Sequence, residues 1–245
     1  MPRRKEQFIT GEIYHIVVRA IDDNLIFKDI DDYYRGIFSI YEFNNATPVN
    51  IFNRRLARTI EKKKEKFCEL GAHKILLKDE RDKFIEVLVF CFMPNHLHLL
   101  LKQVKDGGIS KFMQKVGGGY GRYFNDKYHR KGHVFQDAFK SIKIKNDNQF
   151  MATTSYVFTN PIALIEPGWK ELGIRNHSVD EVVEFLEHYK WSSYQDCIGI
   201  RNFPSVTERE FLLGMMGGIE GLKKTIKDWI EHKKDIAKYS ELFLE

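Results

Sequence analysis

Cysteine is scarce in this chain: Cys68, Cys91 and Cys197 are all there is, and no two stand in a Cys-x-x-Cys spacing. That excludes a disulfide framework and a thiolate zinc site. Cys91, inside an apolar run, reads as a small core residue. Long hydrophobic runs are missing too. The longest, Phe84 to Phe92 and Leu97 to Leu101, fall far short of the ~20 residues that span a bilayer. The basic start Met1-Pro2-Arg3-Arg4-Lys5 is followed by no apolar signal core, so a cytoplasmic protein with no membrane partner is expected. There is no internal repeat and no low-complexity tract. Gly117-Gly118-Gly119 could cradle a phosphate, but no Lys-Ser/Thr pair follows it. A P-loop is therefore excluded, and the run reads as a kink or a close approach of a helix to the sheet.

What is present is the composition of a soluble globular protein, with 43% hydrophobic and 30% charged residues in a chain of 245. That length fits one domain with additions better than two full domains. The net charge of +5 is unevenly placed. Residues 121–145 hold seven basic residues (Arg122, Lys127, Arg130, Lys131, Lys140, Lys143 and Lys145) against Asp126 and Asp137. From residue 168 onward eleven basic residues face fourteen acidic ones. A positive field concentrated mid-chain suits a polyanion; a solvated charged face is the plainer reading of charge alone.

The periodicities predict a strand over Glu12 to Arg19 and a helix over Asp31 to Phe43, capped by Asp29 or Asp31. Residues 53–83 break the pattern with mixed Lys, Arg and Glu and read as an inserted basic helix and loop. Phe84 to Phe92 and His96 to Gln103 read as antiparallel strands around the turn Met93-Pro94-Asn95. Ser110 is expected to cap a helix through Val116 that the glycine run interrupts. Val134 to Lys145 reads as a strand or hairpin arm whose final lysines share one face. Asn146 or Asp147 then caps a helix that Pro161 ends. The remainder is mainly helical, over Asp180 to Tyr189, Glu208 to Met216 and Gly221 to Tyr239.

Two short segments carry chemistry. In a strand, His96 and His98 project to one face while Leu97, Leu99 and Leu101 take the other, so a buried leucine side would anchor an exposed histidine side. Two imidazoles at this spacing can share a cation, although two half-exposed, hydrogen-bonded strand histidines would look the same. On a helix, Tyr156 and Asn160 lie one turn apart on one face. Taken singly, Tyr156 is a core-edge tyrosine and Asn160 a cap before proline. Taken together, the four make a metal-and-nucleophile set. A phenol of pKa ~10 attacks a phosphodiester poorly unless the phosphate is polarised, which bound Mg²⁺ or Mn²⁺ does as a Lewis acid. Imidazole suits zinc as well.

The ordered motifs around these residues resemble the single-tyrosine transposases of the HUH endonuclease superfamily, most closely the REP-associated tyrosine transposases. The hallmark His–hydrophobic–His stands here as His96-Leu97-His98 within Met93-Pro94-Asn95-His96-Leu97-His98-Leu99. Tyr14-His15 with Arg19 resembles the family's opening strand. Tyr123-Phe124-Asn125 and Gly132-His133-Val134-Phe135-Gln136 resemble its post-helix loop. Tyr156 to Pro161 matches its tyrosine helix, and Trp191-Ser192-Ser193-Tyr194 a later segment. The likeness covers roughly residues 10–50 and 84–195, in order, which is far more specific than any one motif. It implies an α+β fold, a ferredoxin-like antiparallel sheet with helices packed on one face, followed by a helical C-terminal extension. The corresponding division is a catalytic domain over 1–167, with the basic insertion at about 53–83, and an extension over 168–245. It implies that Tyr156 attacks single-stranded or hairpin DNA to form a 5′-phosphotyrosine link and free a 3′-OH, with His96, His98 and Asn160 holding the metal. Arg19, Arg122, Arg130, Lys131, Gln136, Lys140, Lys143 and Lys145 would grip the DNA, in a monomer or a homodimer. Ala20, Ala138 and Ala163 depart from residues common in the family. These departures bear on DNA grip and sequence preference rather than on the metal-and-tyrosine set.

Two other readings compete with this one. A histidine-triad hydrolase needs a third histidine where Leu100 stands. A non-catalytic DNA-binding protein descended from a transposase is opposed only by the presence of the metal and tyrosine residues. His15 reads as a structural strand histidine, and His129 and His133 as loop residues beside Arg130-Lys131. Tyr120, Tyr123 and Tyr128 are alternative nucleophiles, but none has an asparagine four residues on.

Overall fold

A computed structural model describes residues 7–48, 79, 81–136 and 138–233. The basic helix expected at 53–83 lies outside the described residues apart from the short stretch that enters the second strand, as does the end of the last expected helix.

The first strand, β1 (Ile13–Arg19), leads to α1 (Ile30–Glu42). Asp29 starts that helix: its carboxylate accepts from the amides of Asp31 and Asp32 at 3.0 and 3.1 Å. Asp32 Oδ2 reaches back to the Asp29 amide at 3.3 Å, completing a capping box with Asp in the place of the usual Glu. β2 (Ile85–Met93) and β3 (His96–Gln103) form the expected hairpin around Pro94-Asn95.

The next helix departs from expectation. α2 (Gly108–Tyr128) begins after Gly107, not Ser110, and passes through the glycine run without interruption. Each internal glycine costs roughly 1 kcal/mol against alanine. Burial of Ile109, Phe112, Met113, Val116, Tyr120 and Phe124 along one side of the helix offsets that cost. Gly119 has a packing reason to be there: a Cβ at this position would sit 2.2 Å from the Phe43 ring, so the close approach is between two helices rather than to the sheet.

β4 is only Lys140–Lys143. The longer arm expected from Val134 does not form, because Val134 and Phe135 are used at the far end of β1. There Ile21 N donates to Val134 O at 3.1 Å and Phe135 bridges to Ala20.

The sheet is antiparallel throughout, in the order β2-β3-β1-β4. With the chain order β-α-β-β-α-β this is the ferredoxin-like arrangement within an α+β fold. As expected, α1 and α2 pack on one face, over Tyr14, Ile16, Val18, Leu97, Leu99 and Leu101.

The other face is covered by α3 (Asp147–Thr159) and a 3₁₀ turn (Asn160–Leu164), and by the helices that follow: α4 (Trp169–Leu172), α5 (Val179–His188), α6 (Tyr194–Cys197), α7 (Arg209–Met215) and α8 (Gly218–Glu231). Asn146 caps α3 by accepting from Gln149 N at 2.9 Å. α3 brings Phe150, Val157 and Phe158 onto Leu88, Cys91 and Leu100. Along β2, Phe92 N donates to Trp191 O at 2.8 Å and Ser193 N to Phe90 O at 3.0 Å, so the Trp191-Ser192-Ser193 segment caps an edge that would otherwise be open to pairing.

Candidate metal and nucleophile site

The site lies between the second face of the sheet and α3. β1 and β3 pair so that Val17 opposes His98 and Arg19 opposes His96. Opposed residues share a face, and alternate residues along a strand do too. His15, Arg19, His96 and His98 therefore all project toward α3. The histidine face is not exposed, contrary to expectation: His15 and His98 are at most 1% accessible and His96 9%. The reason is tertiary, since α3 and the helices behind it cover this face while α1 and α2 cover the leucine face.

α3 places Tyr156 edge-on to His98, with ring centroids 5.6 Å apart, and edge-on to His15 at 6.0 Å. His96 and His98 are 4.9 Å apart by centroid. Asn160 is both the cap of α3 and the start of the 3₁₀ turn, and its carboxamide stands next to the His96 ring. The reading of Asn160 as a helix cap before proline therefore holds. Tyr156 and Asn160 are as enclosed as the histidines, at 3% and 1% accessible.

The hydrogen bonds orient the rings. Asn95 Oδ1 accepts from His96 Nδ1 at 2.6 Å, which leaves the lone pair on the far nitrogen of that ring, Nε2. His98 Nδ1 meets His15 Nε2 at 3.0 Å, while His98 Nε2 is buried with no partner among the described residues. When His15 accepts from His98, both sequence-motif histidines turn an unprotonated Nε2 to the same region. Burial pushes His15 and His96 down to about 3, and drives His98 well below its ordinary value. For His96 the charges of Arg19 and Lys170 add to burial; for His98 the neighbouring His96 and His15 do so first. All three are neutral imidazoles at neutral pH, the form that binds metal.

Among the described residues no three His, Cys, Asp or Glu side chains form a ready metal cluster. A third protein donor must be of another kind, and the Asn160 amide is the one at hand. A hydrogen-bond partner behind each motif histidine, a buried His98 Nε2 with no partner among the described residues and the Asn160 amide oxygen beside them fit a divalent cation.

The alternative tyrosines are elsewhere. Tyr120 donates to Ile26 O, and Tyr123 and Tyr128 donate to Asp32 at 3.1 and 2.7 Å, all in the layer on the opposite face.

The candidate DNA-binding residues divide. Arg19 faces the site, its guanidinium paired with Asp23 at 3.2 Å. Gln136 N donates to Arg19 O at 2.9 Å, tying the 129–139 loop with Arg130 and Lys131 to this end of the sheet. Lys140 opposes Val17 on the histidine face. Lys143 opposes Tyr14 on the other face and pairs with Glu12 at 3.1 Å, so the β4 lysines do not form one stripe. Arg122 stands on α2 in the opposite layer beside Asp126, and Lys145 is exposed next to the start of α3. Arg122, Lys143 and Lys145 are thus not gathered at the histidines.

Two members of the site were not assigned from sequence. His15 shares the parity of Arg19 on β1, but only the pairing with β3 reveals which histidine it meets. Lys170, fourteen residues beyond Tyr156, donates to its hydroxyl at 3.2 Å; nothing in the local pattern marks it.

A family model described as "Transposase IS200 like" matches residues 49–160, a span that contains His96, His98, Tyr156 and Asn160 and ends on the last of them. Over that span the chain is similar to IS200-like transposases. Arg19, His15 and Lys170 lie outside that segment. A solved structure described as "Structure of the REP associates tyrosine transposase bound to a REP hairpin" is similar at 14% identity and a TM-score of 0.45, over 86% of this chain and 96% of that one. No curated protein matches significantly. Among the described residues no helix is long and apolar enough to cross a membrane.

Proposed function

We propose that this chain is a DNA transposase that cuts and rejoins single-stranded or hairpin DNA through Tyr156. The observation that carries the reading is the convergence, from β3 and α3, of Tyr156 with His96, His98 and Asn160 in one enclosed site. His96, His98 and Asn160 would hold Mg²⁺ or Mn²⁺, which supplies Lewis-acid polarisation of a phosphodiester when bound.

The chain's own residues do the rest. The Tyr156 oxygen forms a bond to phosphorus as the bond from phosphorus to the 3′ oxygen breaks. The phenolic proton passes to solvent, and the departing 3′ oxygen takes one from solvent. The product is a 5′-phosphotyrosine with a free 3′-OH, and the reverse reaction rejoins strands. Asn95 and His15 hold the two ligand imidazoles in orientation. Arg19, with Gln136 and Lys140 near it, would meet phosphate oxygens, whereas bases would be sampled by the segment carrying Arg130 and Lys131.

A covalent-trapping assay on single-stranded hairpin DNA with Mn²⁺ tests this. Wild type is expected to give a protein–DNA adduct that Tyr156→Phe cannot form. Adduct formation by Tyr156→Phe would remove the nucleophile assignment. The near-complete enclosure of Tyr156 favours one other reading, a non-catalytic DNA-binding descendant. Hairpin binding by wild type with no adduct at any metal concentration would decide for it.

A further inference from the structure

Lys170 is a cation in contact with the reacting oxygen of the proposed nucleophile. Its Nζ lies 3.2 Å from Tyr156 Oη and 5.1 Å from the centre of the tyrosine ring. Its charge is also felt at His96 and His98, from the other side of the site than Arg19's strand.

The residue is delivered by a braced loop rather than by a free surface arm. Before it, the buried Glu166 accepts from Asn176 N at 3.0 Å, from Asn176 Nδ2 at 2.6 Å and from His177 Nδ1 at 2.9 Å, closing the segment on itself. Glu166 N is in turn tied to Ile162 O at 2.8 Å, in the turn that carries Asn160. Trp169, 1% accessible, pins the single turn of α4, and Gly168 and Gly173 bracket it with φ of 79° and 71°. These tethers fix the base of Lys170, while its side chain is half-buried and reaches solvent where Tyr156 does not. A phosphate approaching Tyr156 thus meets this ammonium.

We propose that Lys170 is a catalytic, phosphate-binding cation. In the resting site it bonds the Tyr156 hydroxyl. As the phosphodiester arrives it stabilises the phenolic oxygen while its proton leaves, and it then holds a non-bridging phosphoryl oxygen beside the new O–P bond. This inference rests on the assignment of Tyr156 as nucleophile. A fixed donor aimed at developing charge in an enclosed site is worth roughly 10²–10³ in rate.

Two measurements on the full chain separate the two claims. The first is the rate of Tyr156 modification by thymidine 5′-(p-nitrophenyl phosphate) with Mn²⁺. Attack at phosphorus expels p-nitrophenolate and leaves a thymidine 5′-phosphotyrosine visible by mass. Lys170→Gln is expected to lower the rate at saturating probe about 10²-fold, with Mn²⁺ affinity unchanged and Lys170→Arg recovering most of the loss. The second is calorimetric binding of thymidine 5′-phosphate in EDTA, where Lys170→Gln is expected to bind at least about 10-fold more weakly than wild type.

Equal nucleotide affinity in Lys170→Gln overturns the role of Lys170, whatever the rates show. A modification rate in Lys170→Gln equal to wild type also overturns it. If wild type forms no adduct yet binds the nucleotide through Lys170, the phosphate-binding role stands and the transferase reading falls.

Discussion

Replacing His15 and His98 together by leucine tests whether the site is held in an uncomfortable state for the sake of a ligand. Among the described residues His15 Nδ1 and His98 Nε2 are both buried without partners. Each such atom costs about 1–3 kcal/mol, whereas the single bond between the two rings is worth about 0.5–1.5 kcal/mol. Changing only one ring would strand a nitrogen of the other, so the pair must be changed together. The leucine pair is expected to be more stable than wild type by about 0.5–5.5 kcal/mol in EDTA. Urea denaturation reads this as a raised midpoint with an unchanged slope. Manganese at 100 times its Kd adds about 2.7 kcal/mol to a protein that binds it only when folded. Wild type is expected to show that gain and the leucine pair to show none. A leucine pair less stable than wild type in EDTA would refute the reasoning, because it would mean these nitrogens are satisfied and the rings are ordinary core.

Two further outcomes concern the layer on the opposite face. Gly119→Ala is expected to destabilise the fold by about 1–3 kcal/mol through its clash with Phe43, despite alanine's better helix propensity; Gly118→Ala, with open space around it, should stabilise by about 0.4–1 kcal/mol, and calorimetric melting compares the two. The hydrogen bond from Lys127 holds the Asp29 carboxyl below its ordinary value, so this contact stabilises the protein above the unfolded carboxylate pKa of ~3.9 and is lost as pH falls through the lower folded value. Lys127→Met is therefore expected to be less stable than wild type at pH 7, with the difference vanishing as pH falls through the lower folded value of Asp29, as followed by urea unfolding with circular dichroism.

Much of the fold was legible in residue patterns because its signals are local. Alternation around Leu97, Leu99 and Leu101 defines β3 whatever lies above it, and Asp29 and Asn146 mark helix starts through bonds to amides two or three residues on. The glycine run misled because helix propensity is weak beside burial: Phe43 needs the space that Gly119 leaves, and Phe43 is distant in sequence. The arm expected from Val134 shortened for a similar reason, since the end of β1 competes for Val134 and Phe135.

For the site, sequence by itself determined the donors. His96 and His98 must share a face because a strand has period two, and Tyr156 and Asn160 must stand a turn apart because a helix has 3.6 residues per turn. Tertiary structure alone decided that the two pairs meet, that α3 encloses the histidines, and that His15 and Lys170 join them. It also decided which of Lys140 and Lys143 shares the histidine face, through the pairing of β4 with β1. The physical reason is one of range: periodicity governs which side of its own element a residue takes, whereas strand pairing and helix packing govern what it finds there.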